Sequence, residues 1–127
     1  MSGEREKLFS DLKENIKNVL GQMEKTNPSS EHCLKNYSDF LAGLEASGSR
    51  LAHSINNTGL AYTSEPSPTE SESKGLCKNI EARVVEFLNS FMAVPLHGGK
   101  YFLCEVRVVC ISTLKSCISF VEALIQV

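Results

Sequence analysis

A regular spacing of apolar residues between residues 34 and 55 constrains the fold more than any other feature of this chain. Leucine, tyrosine, isoleucine and one glycine recur there in alternating steps of three and four residues. The members of this stripe are Leu34, Tyr37, Leu41, Leu44, Gly48, Leu51 and Ile55. Such a repeat is typical of a helix that packs along another helix. We therefore predict that these residues form a helix-packing seam and that the fold contains further helices to cover it.

The segment before the seam carries a second helical pattern. Apolar residues from Phe9 to Met23 follow heptad spacing, and the same register continues into the seam across Pro28. Two interpretations are open at this proline. It either ends the first helix and starts another with Asn27 as its cap, or it kinks one continuous helix. We expect a break within an N-terminal helical region of residues 1–57, because proline also disfavours the helical conformation at Asn27.

The composition changes abruptly after the seam. Residues 58–75 are dominated by Ser, Thr, Pro, Glu and Gly, and such a segment buries too little apolar surface to order itself. We predict one long disordered linker here. Three of its hydroxyl groups lie beside proline or glutamate and are candidate phosphorylation sites, namely Ser67, Thr69 and Ser71.

Two apolar segments follow this linker. Residues 76–94 have their apolar side chains at helical spacing, and a proline with two glycines predicts a turn over residues 95–100. Residues 101–127 are rich in Val, Ile, Thr and Cys, which favour strands, although their pattern also fits a helix. Composition alone permits a strand over residues 101–112. We expect a helix, because a single strand would have no partner in an otherwise helical chain.

These patterns together predict an all-α fold, an antiparallel bundle of about four helices. The last segment, residues 101–127, is apolar on nearly all sides, and such a helix must be buried on more than one side. We therefore expect self-association through this segment. Four charged residues argue against a membrane-spanning role for it, and they are Glu105, Arg107, Lys115 and Glu122.

Composition and motifs narrow the classes of function. The net charge is −2 and tryptophan is absent, so we expect no nucleic-acid partner. The charged N-terminal sequence predicts no secretory signal, a cytoplasmic location and five reduced cysteines. Cys104, Cys110 and Cys117 are six and seven residues apart, unlike the close pairs of metal sites. No catalytic constellation is evident either, so we predict no enzyme, no cofactor and no metal.

Three basic residues near the start of the third helical segment are the remaining candidates for a binding surface. They are Lys74, Lys78 and Arg83. Mixed charge along a helix usually marks a solvated face. The sharper interpretation is contact with an anionic membrane, where each basic residue near the surface contributes about 1 kcal/mol.

The order of these segments resembles the beginning of BAR-superfamily domains of the amphiphysin and F-BAR types. The resemblance covers roughly Leu8 to Met92. It rests on a heptad helix that contains NYSDFLAGLEASGSRLAHSI, the acidic Ser-rich gap and the sequence LCKNIEARVVEFLNSFM that follows it. It implies a non-enzymatic cytoplasmic scaffold, dimeric and peripheral at membranes, which binds and bends them through basic surfaces. Such domains are longer than 127 residues and have three long helices, whereas here the pattern stops near Met92.

The apolar C-terminal segment differs in kind from the part that resembles the family. This difference leads to the hypothesis of a truncated or alternatively ended form, which would lack membrane-bending activity. The competing hypothesis is a soluble helical-bundle adaptor that binds a partner protein's helix in a hydrophobic groove.

Overall fold

The computed structural model describes residues 2–31 and 33–126, and four α-helices account for most of them. The helices are α1 (Ser2–Lys25), α2 (Tyr37–Thr63), α3 (Glu70–Met92) and α4 (Gly99–Gln126). A short 3-10 turn, Leu96–Gly98, precedes α4. No strand occurs within the described residues. The predicted all-α bundle of about four helices is confirmed, and residues 101–112 are helical.

The first helix ends before Pro28, so this proline does not kink a continuous helix. α1 ends at Lys25, and α2 begins only at Tyr37. The expected cap at Asn27 is wrong, because Asn36 caps α2. Its side-chain oxygen accepts hydrogen bonds from the backbone N–H groups of the second and third helical residues, at 2.8 and 3.3 Å. A short polar side chain in this position satisfies helix donors that would otherwise lack partners.

The segment predicted as a linker over residues 58–75 is largely helical. α2 continues to Thr63 and α3 begins at Glu70, so residues 64–69 alone join the two helices. The early start of α3 has a local cause that composition does not reveal. Thr69 and Glu72 form a capping box, in which each side chain accepts a hydrogen bond from the other residue's backbone N–H.

Packing extends the end of α2 beyond the expected boundary. Thr58 is buried there, and the ring of Tyr62 meets the ring of Phe9 edge-on with centroids 5.3 Å apart. The hydroxyl of Tyr62 also hydrogen-bonds to Ser73, which is buried at the start of α3. Tertiary contacts therefore hold both ends of the expected linker in helical form.

Two pairs of helices run antiparallel. α2 packs against α3, as predicted, and Arg50 of α2 contacts Glu86 of α3. α1 packs against α4. The guanidinium of Arg107, near the start of α4, donates to the carbonyl oxygen of Thr26, just after α1, at 3.3 Å.

The other neighbouring pairs run parallel. Phe9 and Ser73, near the starts of α1 and α3, both contact Tyr62. Tyr37 and Phe102 stack edge-on near the starts of α2 and α4. The helices are therefore arranged around the core in the order α1, α3, α2, α4. The connections α1–α2 and α3–α4 both cross the same end of the bundle, where the N–H of Leu34 donates to the carbonyl oxygen of Ala93 at 2.8 Å.

The core lies between the four helices. Its largest fully buried side chains are Phe9, Leu12, Ile16, Met23, Phe40, Leu51, Ile80, Val84, Phe91, Val94, Leu114 and Val121. Full burial of one such side chain contributes about 1.5–3 kcal/mol relative to exposure. α1, which carries four of these residues, supplies a large part of this core.

The buried face of α2 differs from the predicted seam. Leu51 is the one seam side chain that is fully buried, and Leu44 and Ile55 are half-buried. Leu34, Tyr37 and Leu41 are exposed at 38%, 36% and 49%. The prediction is therefore wrong for Leu34 and Leu41, whereas Tyr37 lies outside the core but packs edge-on against Phe102 of α4. The face that enters the core consists of Phe40, Ser47, Leu51, Ser54 and Thr58.

Polar residues can occupy this buried face because each has a hydrogen-bond partner. The hydroxyl of Ser47 donates to the carbonyl oxygen of Leu44 at 3.1 Å, and that of Thr58 donates to the carbonyl oxygen of Ser54 at 2.9 Å. Partnered hydroxyls avoid the cost of burying an unsatisfied polar group. The helix is thus rotated relative to its apolar stripe, and the stripe turns towards α4.

Candidate functional site

A shallow apolar groove runs between the parallel helices α2 and α4. Its volume is about 220 Å³. The residues that line it are Gly48, Leu51, Ala52, Ile55, Asn56, Thr113, Ser116 and Cys117. None of these eight residues is charged, so the groove presents mainly apolar and small side chains. Four of them, from Gly48 to Ile55, belong to or adjoin the predicted seam, which here faces a groove.

Aromatic rings at both ends hold the two helices apart. Near one end the ring of Phe102 lies 4.9 Å from that of Tyr37 and 6.1 Å from that of Phe40. Near the other end, a Cβ at Gly59 would lie 3.5 Å from the ring of Phe120. Between these ends both helices carry small residues. Large side chains at the ends and small ones in the middle therefore leave the groove open.

The rim of the groove combines apolar and acidic residues. Leu41 on α2 and Val109 on α4 are exposed at 49% and 61%. Each lies seven residues before a lining residue, Gly48 or Ser116, so it continues the same side of its helix two turns beyond the groove. Glu45 follows Leu41 by four residues, and Glu105 precedes Val109 by four. Side chains four apart lie on the same face of a helix, so each exposed apolar rim residue has a carboxylate one turn away.

The three basic residues predicted to contact an anionic membrane do not form one surface. Lys74 pairs with Glu70 on α3 at 3.4 Å, and Arg83 pairs with Glu86 at 3.4 Å. Lys78 is exposed. Lys74 and Arg83 are nine residues apart, which is about two and a half helical turns. They therefore project from opposite sides of α3.

The candidate phosphorylation sites are all exposed but differ in structural context. Ser67 lies in the connection between α2 and α3. Thr69 is the N-cap of α3, and Ser71 lies in the first turn of that helix. Phosphorylation of Thr69 would therefore alter the hydrogen bonds that cap α3. Phosphorylation of Ser67 would alter the connection between α2 and α3 alone.

The cysteines divide by burial. Cys77, Cys110 and Cys117 are buried. Burial raises the pKa of their thiols to about 11, 12 and 11, and the charge of Glu81 adds to the effect at Cys77. Thiols with such pKa values are protonated at neutral pH and are poor nucleophiles. Within residues 2–31 and 33–126, no three His, Cys, Asp or Glu side chains cluster as metal ligands would.

α4 is buried on one face and exposed on the other. Its inner face carries six buried residues, which are Cys110, Leu114, Cys117, Ile118, Val121 and Leu124. On the outer face, Tyr101 is 89% exposed and Val108 is 58% exposed. Leu96–Gln126 also has the length and apolarity of a membrane span, a test that core helices pass too.

Sequence reasoning missed most of the groove. Ala52, Thr113 and Ser116 line it, yet small residues on a helix give no signal of their own. Phe102 and Phe120 lie in the apolar segment 101–127, and nothing in that sequence distinguishes them from residues of the core. Only the distance between α2 and α4, which depends on tertiary packing, makes these residues a candidate site.

No protein-family model, curated protein or solved structure matches this chain. The resemblance to the start of BAR-superfamily domains therefore stays a prediction.

Proposed function

We propose that this protein is a non-enzymatic adaptor that holds an amphipathic helix of a partner protein in the α2/α4 groove. The observation that carries the proposal is the open, apolar gap between two parallel helices, with exposed Leu41 and Val109 at its rim. A helix that lays apolar side chains into such a groove is a recurrent mode of peptide recognition.

The size of the groove favours side chains of a macromolecule over a small molecule. Its volume of about 220 Å³ is below the roughly 300–1,000 Å³ of most small-molecule pockets. A partner that anchors one or two apolar side chains here and rests on the flanking helices would gain contact area outside the groove. The rim residues Leu41 and Val109 would supply part of that area.

Charge defines the partner further. Glu45 and Glu105 flank the rim, one on each helix. Opposite charge across an interface steers association and fixes register. The expected partner helix therefore has an apolar stripe bordered by Lys or Arg.

A membrane-bending scaffold is the competing function, and it has weaker support. Lys74 and Arg83 lie nine residues apart, on opposite sides of α3. An interaction with anionic lipid would use a continuous basic surface.

The test uses two synthetic helical peptides that share one leucine stripe. One peptide has lysines beside the stripe, and the other has glutamates at the same positions. We expect the lysine peptide to bind the full chain and the glutamate peptide to bind at least about tenfold more weakly, since like charges at the rim oppose it. Isothermal titration calorimetry measures both affinities.

Two tryptophan variants of α4 test whether the peptide binds in the groove. Ser116→Trp fills the groove, whereas Ser119→Trp places the same ring on exposed α4 surface three residues away. We expect the first variant to abolish binding and the second to preserve it. Equal binding of the two peptides, no binding of either, or full binding by S116W would contradict the proposal. Binding to phosphatidylserine vesicles, which carry no phosphate monoester, would favour the membrane function instead if S116W leaves it intact.

A further inference from the structure

A second, polar cleft lies between α2 and α3, on the side of α2 away from the apolar groove. Its volume is about 500 Å³. The lining consists of Ser49, Arg50, His53, Ser54, Asn57, Thr58, Gly75, Leu76, Asn79 and Arg83. Arginine, histidine, amide and hydroxyl groups predominate, and no carboxylate belongs to this lining. The cleft thus has the size of a small-molecule site and the chemistry of a polar one.

The two arginines of the cleft share a single carboxylate. Arg50 Nε lies 2.7 Å from Glu86 Oε1, and Arg83 Nη1 lies 3.4 Å from Glu86 Oε2. The three groups together carry one net positive charge. Each guanidinium has five N–H donors in a fixed plane, so one carboxylate cannot occupy all of them. Glu86 therefore holds two cations side by side while leaving donors for a further anion.

A hydrogen bond orients one amide of the cleft wall. The hydroxyl of Ser54 donates to Asn79 Oδ1 at 2.5 Å. The oxygen of this amide is therefore engaged with α2, and its NH2 group remains as a donor. Ser54 is buried, which makes the orientation a property of the helix interface and not of a free surface side chain.

We propose that this cleft binds a phosphate monoester carried on a small hydroxylated molecule. Arg50 and Arg83 contact the phosphate, for which planar guanidinium groups are well suited. The NH2 group of Asn79 donates to the same anion. Asn57 and Ser49 have both donors and acceptors, which match the hydroxyl groups of the carrier.

The cleft is larger than a phosphate ion requires, and this is why the ligand includes a carrier. The same chemistry occurs in a soluble sugar or inositol phosphate and in a phosphorylated inositol lipid headgroup. The site is independent of the partner-helix groove, because the two surfaces use different residues of α2.

The experiment compares four probes on the full chain at low salt. They are myo-inositol monophosphate, unphosphorylated myo-inositol, and phosphatidylcholine vesicles that contain either phosphatidylinositol monophosphate or phosphatidylinositol. Calorimetry measures the soluble probes, and co-sedimentation measures the vesicles. We expect binding to depend on phosphate in at least one pair. Binding of the soluble phosphate identifies a soluble ligand, and binding of the phosphorylated vesicles alone identifies a lipid headgroup.

Two isosteric variants test the location of the site. Asn79→Asp keeps the acceptor for Ser54 but replaces the NH2 donor with negative charge, and Asn57→Asp adds a carboxylate at another residue of the cleft. Asn79→Asp should weaken phosphate binding at least about tenfold, as expected when a charge-assisted hydrogen bond becomes repulsive. Asn57→Asp should weaken it less, through repulsion between the added carboxylate and the phosphate across the cleft. Lys78→Gln is the control, because it removes one positive charge from exposed α3 surface outside the cleft.

Three outcomes would overturn the proposal. They are no phosphate-dependent binding to any probe, full binding by both aspartate variants, and an equal loss in Lys78→Gln. The last would indicate a response to net charge alone. Circular dichroism establishes whether each variant is folded. Asn57→Asp, which leaves the Ser54–Asn79 hydrogen bond in place, decides the result if Asn79→Asp destabilises the α2/α3 interface.

Discussion

Thr69 and Glu72 cap α3 by bonding to each other's backbone. The N–H of Glu72 donates to the Thr69 hydroxyl oxygen at 3.2 Å, and the N–H of Thr69 donates to Glu72 Oε1 at 3.0 Å. Two donors at the start of the helix are satisfied at once. This pair sets the beginning of α3 inside a segment whose composition resembles a disordered linker.

Thr69→Ala should destabilise the fold by about 1 kcal/mol, since the variant lacks the oxygen that accepts from the N–H of Glu72. Thr69→Ser keeps this acceptor and is the matched control. Urea unfolding followed by circular dichroism gives both free energies of unfolding. Equal stability of the alanine and serine variants would show that the capping bond contributes nothing.

The same pair predicts a pH dependence. The backbone N–H and then the hydroxyl of Thr69 lower the pKa of Glu72 below its ordinary value of 4.5 by hydrogen bonding to the carboxylate. A carboxyl group whose pKa is lower in the folded state stabilises that state above pH 4.5, and this stabilisation is lost as the pH falls through the lowered pKa. Glu72→Gln should therefore show a smaller loss of stability between pH 6 and pH 3 than the parent chain, measured as a shift of the urea midpoint. A parallel decline in both proteins would contradict the assignment.

The buried thiols predict a division in reactivity. Cys104 is exposed and should react rapidly with a thiol reagent at pH 8, whereas Cys77, Cys110 and Cys117 should react only on unfolding. Mass spectrometry of the labelled chain with and without urea identifies the modified residues. Rapid labelling of Cys110 in the native protein would mean that α4 separates from the core.

Those thiols also predict a loss of stability in alkali. Their folded pKa values, about 11 to 12, lie above the ordinary value of 9, so the unfolded chain releases these protons first. The resulting contribution to stability is complete below pH 9 and is lost as the pH rises towards 11 and 12. Cys110→Ala should reduce the slope of stability against pH above pH 9, as measured by urea unfolding, and an unchanged slope would contradict this assignment.

Two leucines of the apolar stripe should differ in their contribution to stability. Leu51 is 1% exposed and Leu41 is 49% exposed. Leu51→Ala should cost roughly 2–5 kcal/mol through lost burial and a cavity, and Leu41→Ala should cost less than about 1 kcal/mol. Chemical unfolding measures both changes. Similar losses would mean that the stripe and not the rotated face enters the core.

Self-association, if it uses α4, should involve the first half of its outer face. Tyr101 and Val108 are exposed there, and exposed Cys104 lies between them in sequence. Mild oxidation should then give a disulfide-linked dimer on a non-reducing gel, and Cys104→Ser should abolish it. A monomer by light scattering at micromolar concentration, with no cross-link, would exclude this surface as a dimer interface.

The helices could be predicted from the sequence, but their rotation could not. Heptad spacing identified α1, α2 and α3 because it depends only on local periodicity. The buried face of α2 contains Ser54, whose hydroxyl group is satisfied in the interior by Asn79 of α3. A pattern of apolar residues carries no information about such partners. The seam therefore predicts a buried face of α2 that adjoins the face buried in the structure. The groove arises from that same rotation.

The antiparallel packing of α1 against α4 determines how this bundle would respond to mechanical load. Ser2 and Gln126 are the outer ends of these helices, so they lie at the end of the bundle opposite the crossing connections. A force applied between these two residues acts on the α1/α4 interface one turn after another, as in opening a zipper. The hydrogen bond between the Leu34 N–H and the Ala93 carbonyl oxygen lies at the opposite end of the bundle from the applied force. It is therefore the last of these contacts to be loaded.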